Sequence, residues 1–237
     1  MGWNPLELNQ DSLRTWAREL PKLREDIQVA MLVLGRRNKL HLEEQNNFRL
    51  SLAKTNLQSG QIKGEFKNAD FSGCRFDGAY LEGNFKKCNF SQSRMQSIEA
   101  KELTANDCDF SAADVSGAFL GAAKLDSSRF WFAEMDRTNL NGSSLKASDF
   151  YEARVNHVYF HQAADCSYSR FTECNPAEFK GIETGPTKRL WYNGSFKSVE
   201  NLLTSDLLGK QDLISEWGDR KAWKRQCHAE DLLAPFS

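Results

Sequence analysis

The sequence predicts an all-β solenoid, a square coil of about six turns with α-helical N- and C-terminal flanks. Three observations predict this fold. An apolar residue recurs at every fifth position from Phe85 to Phe160 without a slip. A mostly small residue stands two positions before each of these apolar centres, and the residues between are mostly polar. The third observation is that the phenylalanines are concentrated in one series made of every fourth centre.

A period of five residues fits neither an α-helix, with about 3.6 residues per turn, nor a strand, with about two. Four short segments per turn would instead bring each centre, and the residue two before it, to a common interior. Every fourth centre should then stack above its predecessor. With each one-residue slip counted as one pentad, one column contains six consecutive phenylalanines: Phe71, Phe90, Phe110, Phe130, Phe150 and Phe171.

The repeats resemble those of a known family. Segments 69–73 (ADFSG), 113–117 (ADVSG) and 138–142 (TNLNG) are similar to the A-(D/N)-(L/F)-x-x repeat of the pentapeptide-repeat proteins. The resemblance implies a right-handed quadrilateral β-helix, which we place at residues 48–182. It does not imply one activity. The family includes gyrase-binding quinolone-resistance proteins that mimic DNA, secreted bacterial effectors and many members of unknown role.

Residues 1–47 are predicted to form an N-terminal helical cap. Apolar residues recur at helical spacing within residues 11–37, Asp11 or Ser12 can cap the start, and Pro21 marks a break or kink. The ends of a solenoid expose unpaired backbone groups and apolar side chains, so each end needs a cover.

Residues 183–237 are predicted to form a C-terminal helical segment that begins near Gly185-Pro186. Ser198 is expected to cap its first helix, and residues 211–217 and 219–233 to form two more. Two roles stay open for this segment. It packs against the rod, or it contacts a partner, with a homodimer as one form of that contact.

Four of the six cysteines fall on inward positions of the repeat, Cys74, Cys88, Cys108 and Cys166, and are interpreted as buried small side chains. Cys88 and Cys108 stack on consecutive coils about 4.8 Å apart, which would allow a disulfide. The expected cytoplasmic location argues against that bond. No C-x-x-C pair occurs, and no metal site is expected.

His157 and His161 lie at outward positions of one coil, with Asp165 nearby. They are interpreted as a surface pair, with metal binding or acid–base chemistry as the alternative. Neither a nucleophile nor a phosphate-binding loop accompanies them. We therefore predict no catalytic, cofactor-binding or metal-ligating residue, no cofactor and no enzymatic activity.

The charge balance gives no basic surplus for nucleic acid or an anionic membrane, because the formal net charge is −1. Residues 52–173 contain 16 acidic and 14 basic side chains, a difference of −2. A DNA-mimicking binder of gyrase needs a negative surface, so this function is kept as the alternative. No apolar run approaches about 18 residues and no secretory signal is visible, so we predict no membrane insertion. A bacterial, cytoplasmic protein is expected, with secretion as an effector as the alternative.

Aromatic residues stand at several positions where pentads usually place small polar ones. The candidate contact residues are Trp131, Phe132, Tyr151, Phe119 and Tyr159. The first three fall together, and the last two fall with Tyr80 on another face. Either a segment of this chain such as 189–192 covers the first group, or the aromatics bind another protein. The sequence thus predicts a non-enzymatic protein-interaction scaffold with an unknown protein partner.

Overall fold

The computed structural model describes residues 10–37, 48–159, 166, 169–171, 189–192 and 195–198. Its elements are, in order, α1 (Gln10–Glu19), α2 (Glu25–Gly35), β1 (Gln61–Glu65), β2 (Tyr80–Asn84), β3 (Arg189–Tyr192) and β4 (Ser195–Ser198). β1 pairs with β2 in parallel, and β3 pairs with β4 in antiparallel fashion.

The described residues between 51 and 159, together with Arg170, form a β-helical solenoid. Parallel bridges join residues about one turn apart, such as Asp70 with Asn89, Asn89 with Asp109 and Asp149 with Arg170. A new bridge begins every five residues, so four ladders run along the rod. Ladder 1 is Ser51, Asp70, Asn89, Asp109, Arg129, Asp149 and Arg170; ladder 2 is Asn56, Arg75, Arg94, Asp114, Glu134 and Arg154. Ladder 3 is Gln61, Tyr80, Glu99, Phe119, Asn139 and Tyr159; ladder 4 is Glu65, Asn84, Thr104, Lys124 and Ser144.

The corners between ladders are tight turns with a left-handed third residue. At one corner the Ala69 N–H donates to the Phe66 carbonyl at 3.0 Å, and Asn68 between them has φ +62°. A positive φ at this position alone is typical of a type II turn. The aspartate or asparagine before a centre supports the next corner, since the Asp70 carboxylate accepts the Ser72 N–H at 3.0 Å. This bond gives a physical reason for the D/N position of the repeat.

The core is a stack of apolar side chains along the rod axis. Rings of the phenylalanine column lie nearly parallel, with centroid separations from 5.2 Å for Phe71–Phe90 to 4.5 Å for Phe150–Phe171. These separations approximate the strand spacing of about 4.8 Å, so each ring offset-stacks on the next. Small polar side chains beside the column bond to the coil before them, as where Ser148 Oγ donates to the Leu125 carbonyl at 2.9 Å.

The two contractions of the repeat occur in β1 and β2, where the chain runs on without a corner. Gly64 and Gly83 stack there with φ of +121° and +122°. A Cβ on Gly83 would lie 2.2 Å from the Gly64 carbonyl oxygen. Only glycine permits both this conformation and this approach.

The two N-terminal helices contact different parts of the rod. α2 lies on the exposed edge of β1, where a Cβ on Gly64 would lie 2.2 Å from the Gly35 oxygen. α1 runs along the side, because Gly117 faces Leu13 while Gly78, two coils nearer the N-terminal end, faces Ala17 and Leu20. Two coils span about 10 Å, which matches the rise of about 1.5 Å per residue from Leu13 to Leu20.

Two sequence-based expectations need correction here. Arg189–Tyr192 and Ser195–Ser198 form strands within the segment predicted to be helical, while the helix expected after Ser198 lies outside the described residues. The sequence Asn193-Gly194, which stands between the two strands along the chain, is a strong hairpin signal. Helix α1 begins at Gln10, so Asp11 lies in its first turn. The predicted helices 211–217 and 219–233 lie outside the described residues, and the right hand and six turns of the coil stay predictions.

Candidate protein-contact site

The side chains beside ladder 1 change from small to aromatic towards the C-terminal end of the rod. The residue after each centre of the phenylalanine column is Ala53, Ser72, Ser91, Ser111, Trp131 and Tyr151 in succession. The last two of these, together with Phe132, form what we call the aromatic patch. Trp131 and Tyr151 are half-buried and Phe132 is 50% exposed.

Phe132 occupies a corner that disfavours its side chain. Its φ is +57°, a left-handed conformation that is costly for a bulky residue. The equivalent corners of the other coils carry small or polar residues: Lys54, Gly73, Gln92, Ala112 and Glu152. The Phe132 ring meets Tyr151 edge-on, with centroids 5.6 Å apart and planes at 84°. An exposed phenylalanine is therefore held in a strained corner, and one edge contact orients it.

Arginines of ladder 1 lie over the other two rings of the patch. The Arg129 guanidinium is 4.6 Å from the Trp131 ring, and the Arg170 guanidinium is 5.1 Å from the Tyr151 ring. Each arginine is also paired along the ladder, Arg129 with Asp109 at 2.9 Å and Arg170 with Asp149 at 2.7 Å. These ion pairs fix the guanidinium groups, which in turn restrict the aromatic rings.

Asp149 and Arg170 each stand immediately before a centre of the phenylalanine column. Both side chains are fully buried in the structure. The ion pair permits this burial because each charge has an opposite partner at hydrogen-bonding distance. The sequence signal available was an aspartate and an arginine on consecutive coils of one ladder, which predicts pairing but not burial.

Phe119 and Tyr159 lie on ladder 3, away from the aromatic patch. Phe119 is half-buried, and the Arg14 guanidinium of α1 lies 5.2 Å from its ring. Tyr159 is 43% exposed and Tyr80, at the other end of the ladder, is 40% exposed. Asn139 separates Phe119 from Tyr159 along the ladder. The structure therefore divides the five candidate residues into a compact group of three and a dispersed pair.

His157 lies at a corner next to Asp136, with Nδ1 3.2 Å from a carboxylate oxygen. Arg137 pairs with the other oxygen of Asp136. His161 and Asp165 lie outside the described residues. Within the described ranges, no cluster of three or more histidine, cysteine or acidic side chains has a metal-binding arrangement.

The thiols of Cys74, Cys88 and Cys108 form no disulfide. Cys88 Sγ donates to the Phe66 carbonyl and Cys108 Sγ to the Phe85 carbonyl, each at 2.9 Å. Burial raises the pKa of the Cys108 thiol well above its ordinary value, and the neighbouring Cys88 thiol adds to the effect. Cys88 and Cys108 therefore pack on consecutive coils as hydrogen-bonded thiols and not as a disulfide.

Charges of both signs are interspersed along ladders 1 and 2. Ladder 2 runs from Arg75 and Arg94 through Asp114 and Glu134 to Arg154. Ladder 1 alternates aspartate with asparagine or arginine from Asp70 to Arg170. Such a surface lacks the continuous negative row that a DNA phosphate backbone presents.

Comparison with known proteins supports the repeat assignment. A family model described as pentapeptide repeats matches residues 65–97 and 106–142, with 8 copies. No curated protein matches the sequence. No helix among the described residues has the length and apolar character needed to cross a membrane.

Several solved structures are similar to this chain at low TM-scores. A pentapeptide repeat protein, Rfr23, from the cyanobacterium Cyanothece 51142 is 15% identical, with 65% of this chain and 97% of that chain covered and a TM-score of 0.34. QnrB1, a plasmid-mediated fluoroquinolone resistance protein, is 15% identical, with coverage of 61% and 89% and a TM-score of 0.29. A pentapeptide repeat protein from the thylakoid lumen of Arabidopsis thaliana is 13% identical, with coverage of 67% and 86% and a TM-score of 0.16. The assignment therefore depends on the repeats themselves.

Proposed function

This chain belongs to the pentapeptide-repeat family, and from that premise we propose that it is a non-enzymatic scaffold that binds a protein partner through the aromatic patch. The observation that carries the proposal is Phe132, a half-exposed phenylalanine in a left-handed corner. Backbone strain with a bulky exposed side chain persists where the side chain has a use.

The patch has the composition of a protein-binding hot spot. Trp131 and Tyr151 are large aromatic side chains beside arginine, and these three residue types are enriched at the energetic centres of interfaces. Their rings are already restricted by Arg129 and Arg170, so binding loses little side-chain entropy. The polar residues of ladder 1 around them would form the rim.

A DNA-mimicking role on gyrase is less well supported by this surface. Mimicry would require negative charge along a whole face, and ladders 1 and 2 both contain arginine. Arg129, whose side chain is partly exposed, stands in the ladder that carries the patch. A protein partner with an apolar contact surface fits these residues better.

The proposal is tested by replacing two residues of the patch together, Trp131→Ala with Tyr151→Ala. The double variant should keep the circular dichroism and unfolding behaviour of a folded solenoid. It should lose association in pull-down experiments, or lose self-association in light scattering if the partner is a second copy. Unchanged association in both assays would refute the proposal.

A further inference from the structure

A groove lies at the N-terminal end of the rod, between the α1–α2 connection and the first coils. Its volume is about 420 Å³, within the range of about 300–1,000 Å³ typical of ligand pockets. Its apolar lining includes Leu20, Leu23 and Ile27. Its polar lining consists of Asn56, Gln58, Lys22, Arg24 and Arg75. The groove therefore combines apolar surface with positive charge.

The first coil presents an open backbone edge inside this groove. In ladder 2 the Arg75 N–H donates to the Thr55 carbonyl, and the Leu57 N–H donates to the Arg75 carbonyl. Asn56 stands between Thr55 and Leu57, so its own N–H and C=O point away from Arg75 and the second coil. Neither group has a hydrogen-bond partner among the described residues. An unpaired edge of this kind is a template for another strand.

Two other edges of the same coil, at ladders 3 and 4, are covered. The Gln28 side chain bonds to the Gln61 backbone at ladder 3, and Arg37 donates to the Glu65 carbonyl at 2.9 Å at ladder 4. Gln28 of α2 and Arg37, which follows α2, therefore cover these two edges. The Asn56 edge stays open beside the apolar and basic residues of the groove.

The polar side chains of the groove favour an anionic ligand. Lys22 is exposed and makes no ion pair in the described part of the chain. Arg24 pairs with Asp26 at 2.7 Å and Arg75 with Asp77 at 3.0 Å, so both guanidinium groups are anchored at the groove. Gln58 is 8% exposed, and no hydrogen bond to its side-chain amide is formed by the described residues. An amide of this kind can bond to a peptide group.

We propose that this groove binds an extended acidic peptide of a partner protein by strand addition at Asn56. The peptide backbone exchanges two hydrogen bonds with Asn56, an apolar side chain packs on the Leu20–Leu23–Ile27 lining, and a carboxylate meets Lys22. Side chains alternate along a strand, so a peptide that alternates leucine with glutamate offers one row of side chains to the apolar lining and one row to the basic lining. The groove lies four bridges along ladder 2 from the coil of the aromatic patch, roughly 19 Å away, so the two surfaces can be tested separately.

The test uses the full chain and a fluorescein-labelled eight-residue peptide of alternating leucine and glutamate, followed by fluorescence anisotropy. Saturable binding that weakens with salt is expected. Lys22→Glu should reduce the affinity about tenfold or more, because it places a like charge beside the peptide carboxylate. Lys101→Glu, which makes the same charge change on the exposed Lys101 away from the groove, should leave affinity unchanged. A peptide N-methylated at alternate residues, so that it cannot donate to the Asn56 carbonyl, should also bind about tenfold more weakly.

Three results would overturn the proposal. The first is the absence of saturable binding to the full chain, which would also follow if another segment of this chain occupied the groove. The second is equal affinity of the wild-type and Lys22→Glu proteins while circular dichroism shows both folded. The third is equal binding of the N-methylated peptide, which would replace strand addition with attraction between charges alone. None of these results depends on the aromatic patch.

Discussion

The side-chain amide of Gln28 substitutes for a missing strand beside Gln61. Its Oε1 accepts the Gln61 backbone N–H at 2.8 Å, and its Nε2 donates to the Gln61 carbonyl at 2.6 Å. These are the two bonds that a further coil would have made at this position in ladder 3. A single residue of α2 thus covers the edge of a strand that would otherwise be open to another chain.

Replacing Gln28 should loosen this edge. Gln28→Ala removes both bonds at a partly exposed position, so we expect a loss of about 1 kcal/mol in the free energy of unfolding. Hydrogen exchange at the Gln61 amide should accelerate about fivefold. Gln28→Glu is the matched control, because its carboxylate still accepts the Gln61 N–H but cannot donate to the carbonyl. Equal exchange rates at Gln61 in wild type and Gln28→Ala would show that the cap does not operate.

Gly117 should be needed for docking of α1. It has φ +66°, and a Cβ there would lie 2.7 Å from Leu13 Cδ1. Gly73 has φ +63°, and its Cβ would meet only Lys54 Cγ at 3.3 Å. Both alanine variants carry the same left-handed strain, so Gly117→Ala should be less stable than Gly73→Ala by about 1 kcal/mol. The measurement is urea unfolding together with exchange of the α1 amides. Equal stability and equal α1 protection in the two variants would contradict the assigned position of α1.

The buried Arg170–Asp149 pair should contribute far more than an exposed pair of the same chemistry. Arg170→Met leaves a fully buried aspartate without this partner, and we expect a loss of about 3–5 kcal/mol. Arg154→Met removes an exposed pair with Glu134, whose side chains are 71% and 43% exposed, and should cost about 1 kcal/mol or less. Thermal or urea unfolding of both variants measures the difference. Similar losses in the two would mean that Asp149 is solvated in solution.

The thiols of Cys88 and Cys108 should resist reagents in the folded protein. Both side chains are buried, which excludes the reagent, and burial also raises the pKa of the Cys108 thiol. Because only an accessible thiolate reacts, alkylation near neutral pH should leave the peptides that contain these cysteines unmodified. Unfolding in urea should expose both to complete alkylation, as measured by mass spectrometry. Modification in the native state, or a Cys88–Cys108 linked peptide after mild oxidation, would contradict the hydrogen-bonded arrangement.

Much of the solenoid could be predicted because its determinants are local and repeated. The apolar centres, the mostly small residues before them and the aspartates or asparagines that support the corners recur along the coils. The stacking of Phe71 on Phe90 thus follows from counting along the sequence. The position of α1 could not be predicted in this way, since it depends on contacts between residues far apart in sequence, such as that between Leu13 and a corner about 100 residues later. Glycines at two corners of one edge, Gly78 and Gly117, were the available signal.

The candidate site was predictable in composition but not in environment. The sequence placed aromatic side chains at outward positions after Phe130 and Phe150. It did not show that Arg170 would be buried over Tyr151, because a charged residue before a centre looks the same whether solvent or an opposite charge satisfies it. It also did not show that Arg14 would reach Phe119. Both features depend on which neighbours meet across coils or elements.

The most direct test of the proposed scaffold role compares two glycine substitutions at equivalent corners. Phe132→Gly relieves a left-handed phenylalanine and so removes the exposed ring without unfolding the coil. Ala112→Gly makes the same backbone change one coil earlier. Quantitative mass spectrometry of proteins co-purified from the native host, with light scattering for self-association, should show one association that Ala112→Gly retains and Phe132→Gly loses. If both variants co-purify the same proteins in the same amounts and self-associate equally, the role assigned to the aromatic patch is contradicted.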